Sequence, residues 1–165
     1  MPINELYHNW MQRICEQRPN QRITQVRNFV WLMIGIYESR SVHLSKIAGK
    51  IPGRAKLVSS TRRLSRFLDN PAIRVREWYE PIARQGLRTQ WSCLGEIRLI
   101  VDGTKVGFGH QLLMVSLAYR NRAIPMAWTW VKHVRGHSST HKQLALLNYV
   151  RQLLPLDAAV FLPAP

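Results

Sequence analysis

Nine Asp and Glu face 24 Lys and Arg in this chain of 165 residues, so a carboxylate set against an apolar run stands out. Asp102 is such a carboxylate: in RLIVDGTKVG, residues 98–107, it directly follows the apolar residues Leu99, Ile100 and Val101. On an extended strand Ile97, Leu99 and Val101 share one side, and Arg98, Ile100 and Asp102 share the other. Because Ile100 is apolar, both sides read as covered. A carboxylate at the covered end of a strand needs a cation or a set of backbone N–H donors, since an unpaired buried charge costs several kcal/mol. The competing reading is a simple turn, for which Asp-Gly is a common dipeptide.

Other chemistry-bearing residues carry less. Gly103, Gly107 and Gly109 invite a phosphate-loop reading, but such loops lead from a strand into a helix N-terminus, and this segment leads into the strand-like LLMVSLAY. His133, His137 and His141 are spaced by four. Gly136, Ser138 and Ser139 intervene, so a polar corner between strand and helix is favoured over a zinc site. No nucleophile-elbow pattern accompanies any Ser-His-Asp combination. Trp128 and Trp130 read as core packing rather than as a platform for stacked bases. Cys15 and Cys93 are too few for a disulfide framework and read as thiols of a reducing cytoplasm.

The elements that would position these residues fall into two regions. In residues 1–95 the apolar spacing is helical: Ile3, Leu6, Tyr7, Trp10, Met11 and Ile14 mark one helix, and FVWLMIGI, residues 29–36, is apolar on every side like the central helix of a bundle. Ser41 is placed to cap a short helix with Leu44, Ile47 and Ala48 inward, Gly49 to close it, and Pro52-Gly53 to turn the chain. A second helix follows with Leu57, Val58, Thr61, Leu64, Phe67 and Leu68 inward and Ser59, Arg62, Arg63 and Arg66 outward. Asn70-Pro71 ends it and opens another, with Ile73, Trp78 and Ile82 inward, broken or kinked at Pro81 and closed near Gly86. From Glu96 onward the pattern is β: residues 97–101, 112–119 and 123–134 read as hairpin-linked strands, with Ile124, Met126, Trp128 and Trp130 on one side of the third. A helix from about Ser139 and a fourth strand over residues 158–162 follow, which predicts a mixed sheet with helices packed on it.

Charge narrows the partners. The chain carries a formal +15, which favours polyanions. No apolar run reaches the roughly 20 residues of a membrane span, and the N-terminus lacks a signal-peptide layout. Between residues 39 and 68 there are eight Lys and Arg and no acid, arranged as helix, turn and basic helix. Such a layout suits a helix laid against DNA phosphates with Arg available for base edges. The candidate DNA-binding residues are Lys46, Lys50, Arg54, Lys56, Arg62, Arg63 and Arg66.

Three stretches carry a family resemblance: SRSVHLSKIAGKIPGRAKLVSSTRRLSRFLDNPAIRVREWYEP, VDGTKVG, and LLMVSLAYRNRAIPMAWTWV. In combination the chain resembles, up to Leu162, the N-terminal part of a bacterial insertion-sequence transposase of the IS4-like DDE group. The resemblance implies an α+β protein: an α-helical DNA-binding region over residues 1–95, then an incomplete ribonuclease-H-like mixed sheet over residues 96–165. It implies that Asp102 matches the first of three acidic residues that hold Mg2+ or Mn2+ for two-metal phosphoryl transfer. The second aspartate of the family follows the fourth strand and the glutamate lies much further on. This chain reads AAVFLPAP where the family has Gly-Asp, and Asp157 reads as a turn residue. A truncated, catalytically inactive fragment that holds no metal stably is therefore expected, cytoplasmic and nucleoid-associated, bound to the double-stranded DNA of element ends. It is expected to associate with itself or with full-length transposase, and not with membranes. The alternative is a non-enzymatic DNA-binding regulator or inhibitor of transposition.

Overall fold

The computed structural model describes residues 2–132 and 140–162. The chain is α+β, with a helical N-terminal region followed by a four-stranded mixed sheet. It divides into two compact units at Arg74/Val75.

The first unit has four helices: α1 (Ile3–Gln17), α2 (Ile23–Ser39), α3 (Leu44–Ala48) and α4 (Leu57–Leu68). In α2, Val26, Val30 and Ile34 recur at i, i+4 and i+8 and are buried, the stripe expected of a helix covered along its length. On another side Leu32 joins Ile47, Ala48, Leu64 and Phe67 in a cluster with α3 and α4. Tyr7 of α1 stacks on Trp31 with ring centroids 4.4 Å apart. Coverage on every side does not extend to the end of α2, where Ile36 and Tyr37 are exposed. Gly35 is buried there because α3 crosses it closely: a Cβ at that position would stand 2.5 Å from Ile47 Cγ2.

Two local expectations fail in this unit. Ser41 does not cap α3; its hydroxyl accepts the His43 N–H at 3.2 Å, and His43 occupies the N-cap with no side-chain bond. The hydroxyl is thus engaged in a local turn before the helix starts. In α4 the buried residues are Ser60, Leu64 and Phe67, while Leu57, Val58 and Leu68 are exposed. The inward stripe is the narrow i, i+4, i+7 one, because only α2 and α3 pack on α4 in this unit.

The second unit begins with α5 (Val75–Leu94) and continues with β1 (Ile97–Val106), β2 (His110–Tyr119), β3 (Arg122–Lys132), α6 (Thr140–Arg151) and β4 (Val160–Phe161). α5 passes through Pro81 and Gly86 and ends before Gly95, whose φ of 67° takes the left-handed conformation that stops it. Pro81, which has no N–H to donate, lies inside the helix without ending it. Ala83 and Leu87 of this helix are buried in the sheet's core, whereas Ile82 is exposed. α5 therefore belongs to the sheet and not to the helical region, and the boundary between the units lies before it rather than at residue 95.

The strand order is β3-β2-β1-β4, with β1, β2 and β3 antiparallel and β4 parallel to β1. α5 and α6 pack on one face, where Ile97, Leu99, Leu113, Val115, Leu117, Ala127 and Val131 meet Leu146, Val150 and Leu153. The two helices are joined by Arg84, which pairs with Glu80 at 2.8 Å and donates to the Gln152 carbonyl at 2.8 Å. A bulge between Val115 and Ser116 interrupts the β2–β3 ladder: Ala127 pairs with Val115, Pro125 with Ser116, and Met126 is the extra residue. Because the extra residue reverses the alternation, Ile124 faces the helices while Trp128 and Trp130 face the opposite side. The common side expected for these residues does not exist. Pro125, without an N–H, fits a bulge on an edge strand.

Candidate nucleic-acid interface and the setting of Asp102

α4 presents the basic residues. Arg62 and Arg66 are exposed and, with Ser59 and Ser65, line an open cleft of about 460 Å³. Two guanidinium forks and the Ser59 hydroxyl make a surface rich in donors, the composition that meets phosphate oxygens and base edges, while the Ser65 hydroxyl donates to the Asp69 carboxylate at 3.1 Å. Lys46, Lys50, Arg54 and Lys56 are also exposed, on α3 and on the connection to α4, but they do not line this cleft. Arg63 stands apart: it is half-buried, and its Nε is buried without a hydrogen-bond partner. The sequence reading grouped Arg63 with its neighbours and missed Ser65. The signal for Ser65 was its place beside Arg62 and Arg66 on the face opposite Ser60, Leu64 and Phe67.

Asp102 is not in a turn. It lies inside β1, paired with Met114, and Gly103 is paired with Leu113; the hairpin turns at residues 107–109, where Gly107 and Gly109 have φ of 60° and 83°. Nor is it covered. Every residue from 101 to 110 is exposed, so burial in β1 stops at Ile100. The carboxylate is satisfied locally: Oδ1 accepts the Gly103 N–H at 2.8 Å and Oδ2 accepts the Thr104 hydroxyl at 3.4 Å. The expected need for a buried cation disappears: the described pairing of β4 with β1 covers Ile97 and Arg98, so beyond them β1 is an open edge of the sheet.

Cross-strand pairing places Asp102, Met114 and Trp128 in one row of the sheet, and Thr104, Leu112 and Trp130 in the next. Paired side chains share a face, so Asp102 lies on the side of the sheet away from α5 and α6. On that side Leu112, Met114, Pro125, Trp128 and Trp130, with Tyr79 reaching in from α5, line a shallow hollow of about 300 Å³. The Tyr79 hydroxyl donates to the Pro125 carbonyl at 2.5 Å and Arg76 to the Trp128 carbonyl at 3.2 Å, which covers part of the free edge of β3. Burial raises the Tyr79 phenol above its ordinary range. Burial first, then the Glu80 carboxylate, does the same to Tyr149. Trp130 is 56% exposed and is not core.

Mg2+ and Mn2+ take several oxygen ligands, and a two-metal centre needs two or three carboxylates shared between the ions. Asp102 supplies one. Among the described residues no group of three His, Cys, Asp or Glu is placed to hold a metal ion, so this residue set does not fit such a centre. Asp157 sits in a left-handed turn at φ 63°, as its sequence context suggested. His133 and His137 lie outside the described residues, as do residues 163–165. Among the described residues no helix is long and apolar enough to cross a membrane.

Compared with family models, with curated proteins and with solved structures, the chain matches none.

Proposed function

We propose that the chain binds double-stranded DNA through α4 and acts in the movement of an insertion element, as a part of an IS4-like DDE transposase. The observation that carries the DNA-binding reading is the cleft of Ser59, Arg62, Ser65 and Arg66 on the outer face of α4, within a segment that holds eight cations and no acid between residues 39 and 68. The order of α3, a connection over residues 49–56 that turns at Gly53 with φ 135°, and then the basic α4 supports a reading in which α4 is the element offered to the major groove. The ribonuclease-H-like part of the reading is supported by chain order: three antiparallel strands, a helix, and a fourth strand laid parallel beside β1. The place of Asp102 within β1 is consistent with the first carboxylate of that family.

A solitary, exposed Asp102 favours the second reading, a DNA-binding regulator or inhibitor of transposition without strand-cleaving activity of its own. The two readings share α4 and differ in chemistry. The test of the first is duplex binding by the whole chain: Arg62→Ala/Arg66→Ala should weaken it, and a variant that binds duplex DNA as tightly as the parent ends the reading. The test between the two is Mg2+- or Mn2+-dependent nicking of duplex DNA. Nicking that disappears in Asp102→Asn selects the enzyme, and binding without nicking selects the regulator.

A further inference from the structure

The sheet face away from α5 and α6 carries apolar rings in solvent with cations beside them. Trp130 is 56% exposed, and its hollow is walled by Leu112, Met114 and Trp128. One register step beyond Trp130, the pair His110 and Lys132 stands on the same face, and both are exposed. On the other side of Trp128, at the edge of β3, the exposed Arg76 of α5 donates to the Trp128 carbonyl at 3.2 Å while its guanidinium lies 4.9 Å over the Tyr149 ring of α6. Trp128, two residues away on β3, is half-buried with the Tyr79 ring packed edge-on at 5.2 Å, so Trp130 is the indole placed to meet a planar group from outside. The one carboxylate on these rows, Asp102, stands two strands from Trp128, about 10 Å away at the usual strand spacing.

We propose that this face binds single-stranded DNA, with an unpaired base stacked on Trp130 and backbone phosphates held by Lys132 on one side and Arg76 on the other. The ligand must combine flat apolar faces with negative charge. An apolar helix or a second copy of this +15 chain brings no charge complement to Lys132 and Arg76, and a duplex hides its base faces within the stack. A single strand offers both, and stacking on exposed aromatics is how proteins hold one without reading its sequence. The choice of DNA over RNA rests on the reading of α4 as a duplex-DNA-binding helix. The stacking site itself is separate from α4.

Fluorescence anisotropy of labelled oligodeoxythymidylate with the whole chain tests this. Trp130→Ala should weaken binding roughly tenfold, the size of one lost base–aromatic stack, and Trp130→Phe should restore most of it. Lys132→Ala, a change to an exposed side chain that leaves the hollow intact, should lower the salt-dependence slope by about 0.7, one single-strand phosphate contact. Arg62→Ala/Arg66→Ala should weaken duplex binding and leave oligodeoxythymidylate binding unchanged, so failure of the α4 reading and failure of this one are separable. Parental affinity in both Trp130→Ala and Lys132→Ala overturns the proposal. Equal or tighter binding of oligouridylate overturns the assignment to DNA. Sedimentation that shows a dimer lost in Trp130→Ala, with oligonucleotide affinity unchanged, assigns the face to self-association instead.

Discussion

Replacing Arg62 and Arg66 together by alanine should change how duplex binding responds to salt, by an amount that follows from their placement. The two side chains are exposed and share one cleft. Four residues apart, they are separated by about 6 Å along the axis of α4, close enough to meet phosphates flanking one groove. Each phosphate contact contributes about 0.9 to the slope of log affinity against log salt, so the double variant should lose about 1.8. Over about 50 to 200 mM salt, a factor of four, that slope difference amounts to roughly tenfold in affinity. The parent should therefore lose about ten times more affinity than the variant across this range. Anisotropy of a labelled duplex, titrated at several salt concentrations, reads both slopes. Arg63→Ala is the internal control: its guanidinium is half-buried and its Nε buried, so the slope should stay at the parental value. Both exposed substitutions should leave thermal stability within about 0.5 kcal/mol of the parent. A parental slope in the double variant, or an equal fall in Arg63→Ala, would refute the assignment of the cleft to phosphate contact.

Three further outcomes are expected. Gly35→Ala should destabilise the first unit by about 1–2 kcal/mol: the new Cβ meets Ile47 Cγ2 at 2.5 Å and the Ile47 carbonyl oxygen at 3.0 Å, and overpacking of this kind outweighs the helix-propensity gain of about 1 kcal/mol. A raised melting temperature would contradict it. Asp102→Asn should change the unfolding free energy read from urea melts by no more than about 0.5 kcal/mol, since the carboxylate is exposed and satisfied by its neighbours; a loss of several kcal/mol would bring back the buried-charge reading. The raised pKa of Tyr79 means that the fold favours the neutral phenol. Its contribution is full below the ordinary tyrosine value of 10.0 and is lost as pH rises through the higher folded value. Melts in alkaline buffers should show stability falling in that window, less steeply in Tyr79→Phe, and an identical decline would remove Tyr79 as a cause.

The sequence was most legible where one face alone decides structure. The apolar spacing of Ile3 to Ile14 and of residues 29–36 places α1 and α2, because helical period is local information. Phase on α4 was less legible. Leu57, Val58 and Leu68 fit the inward stripe as well as Ser60 does, and only the narrow cover from α2 and α3 decides among them. Asp102 was ambiguous for a sharper reason: Asp-Gly serves a turn or a strand, and the choice is made by β2, whose pairing continues through Gly103 to Val106. The side taken by Trp128 and Trp130 depends on an extra residue at Met126, which alternation counted along one strand cannot register. Ser59 and Arg62 were read as outward and are; their gathering with Ser65 into one cleft needed three dimensions.

The bulge at Met126 acts as a parity marker for the rest of β3. Downstream of it, odd and even positions exchange roles, so Ala127 and Val131 fill the core while the two indoles take the other face, Trp130 exposed and Trp128 half-buried. Deleting this one residue would make Pro125–Ser116 and Ala127–Val115 consecutive pairs of an unbroken ladder, so the pairings on either side, and with them the faces of Ile124 and the two indoles, would be kept. What would be lost is the buried Met126 side chain, whose Cε lies 3.8 Å from where a Cβ on Gly86 of α5 would stand, and the local bend and added twist that a bulge gives its strand. The extra residue thus lets β3 put the neighbours Met126 and Ala127 into the same core, which strict alternation along a strand forbids.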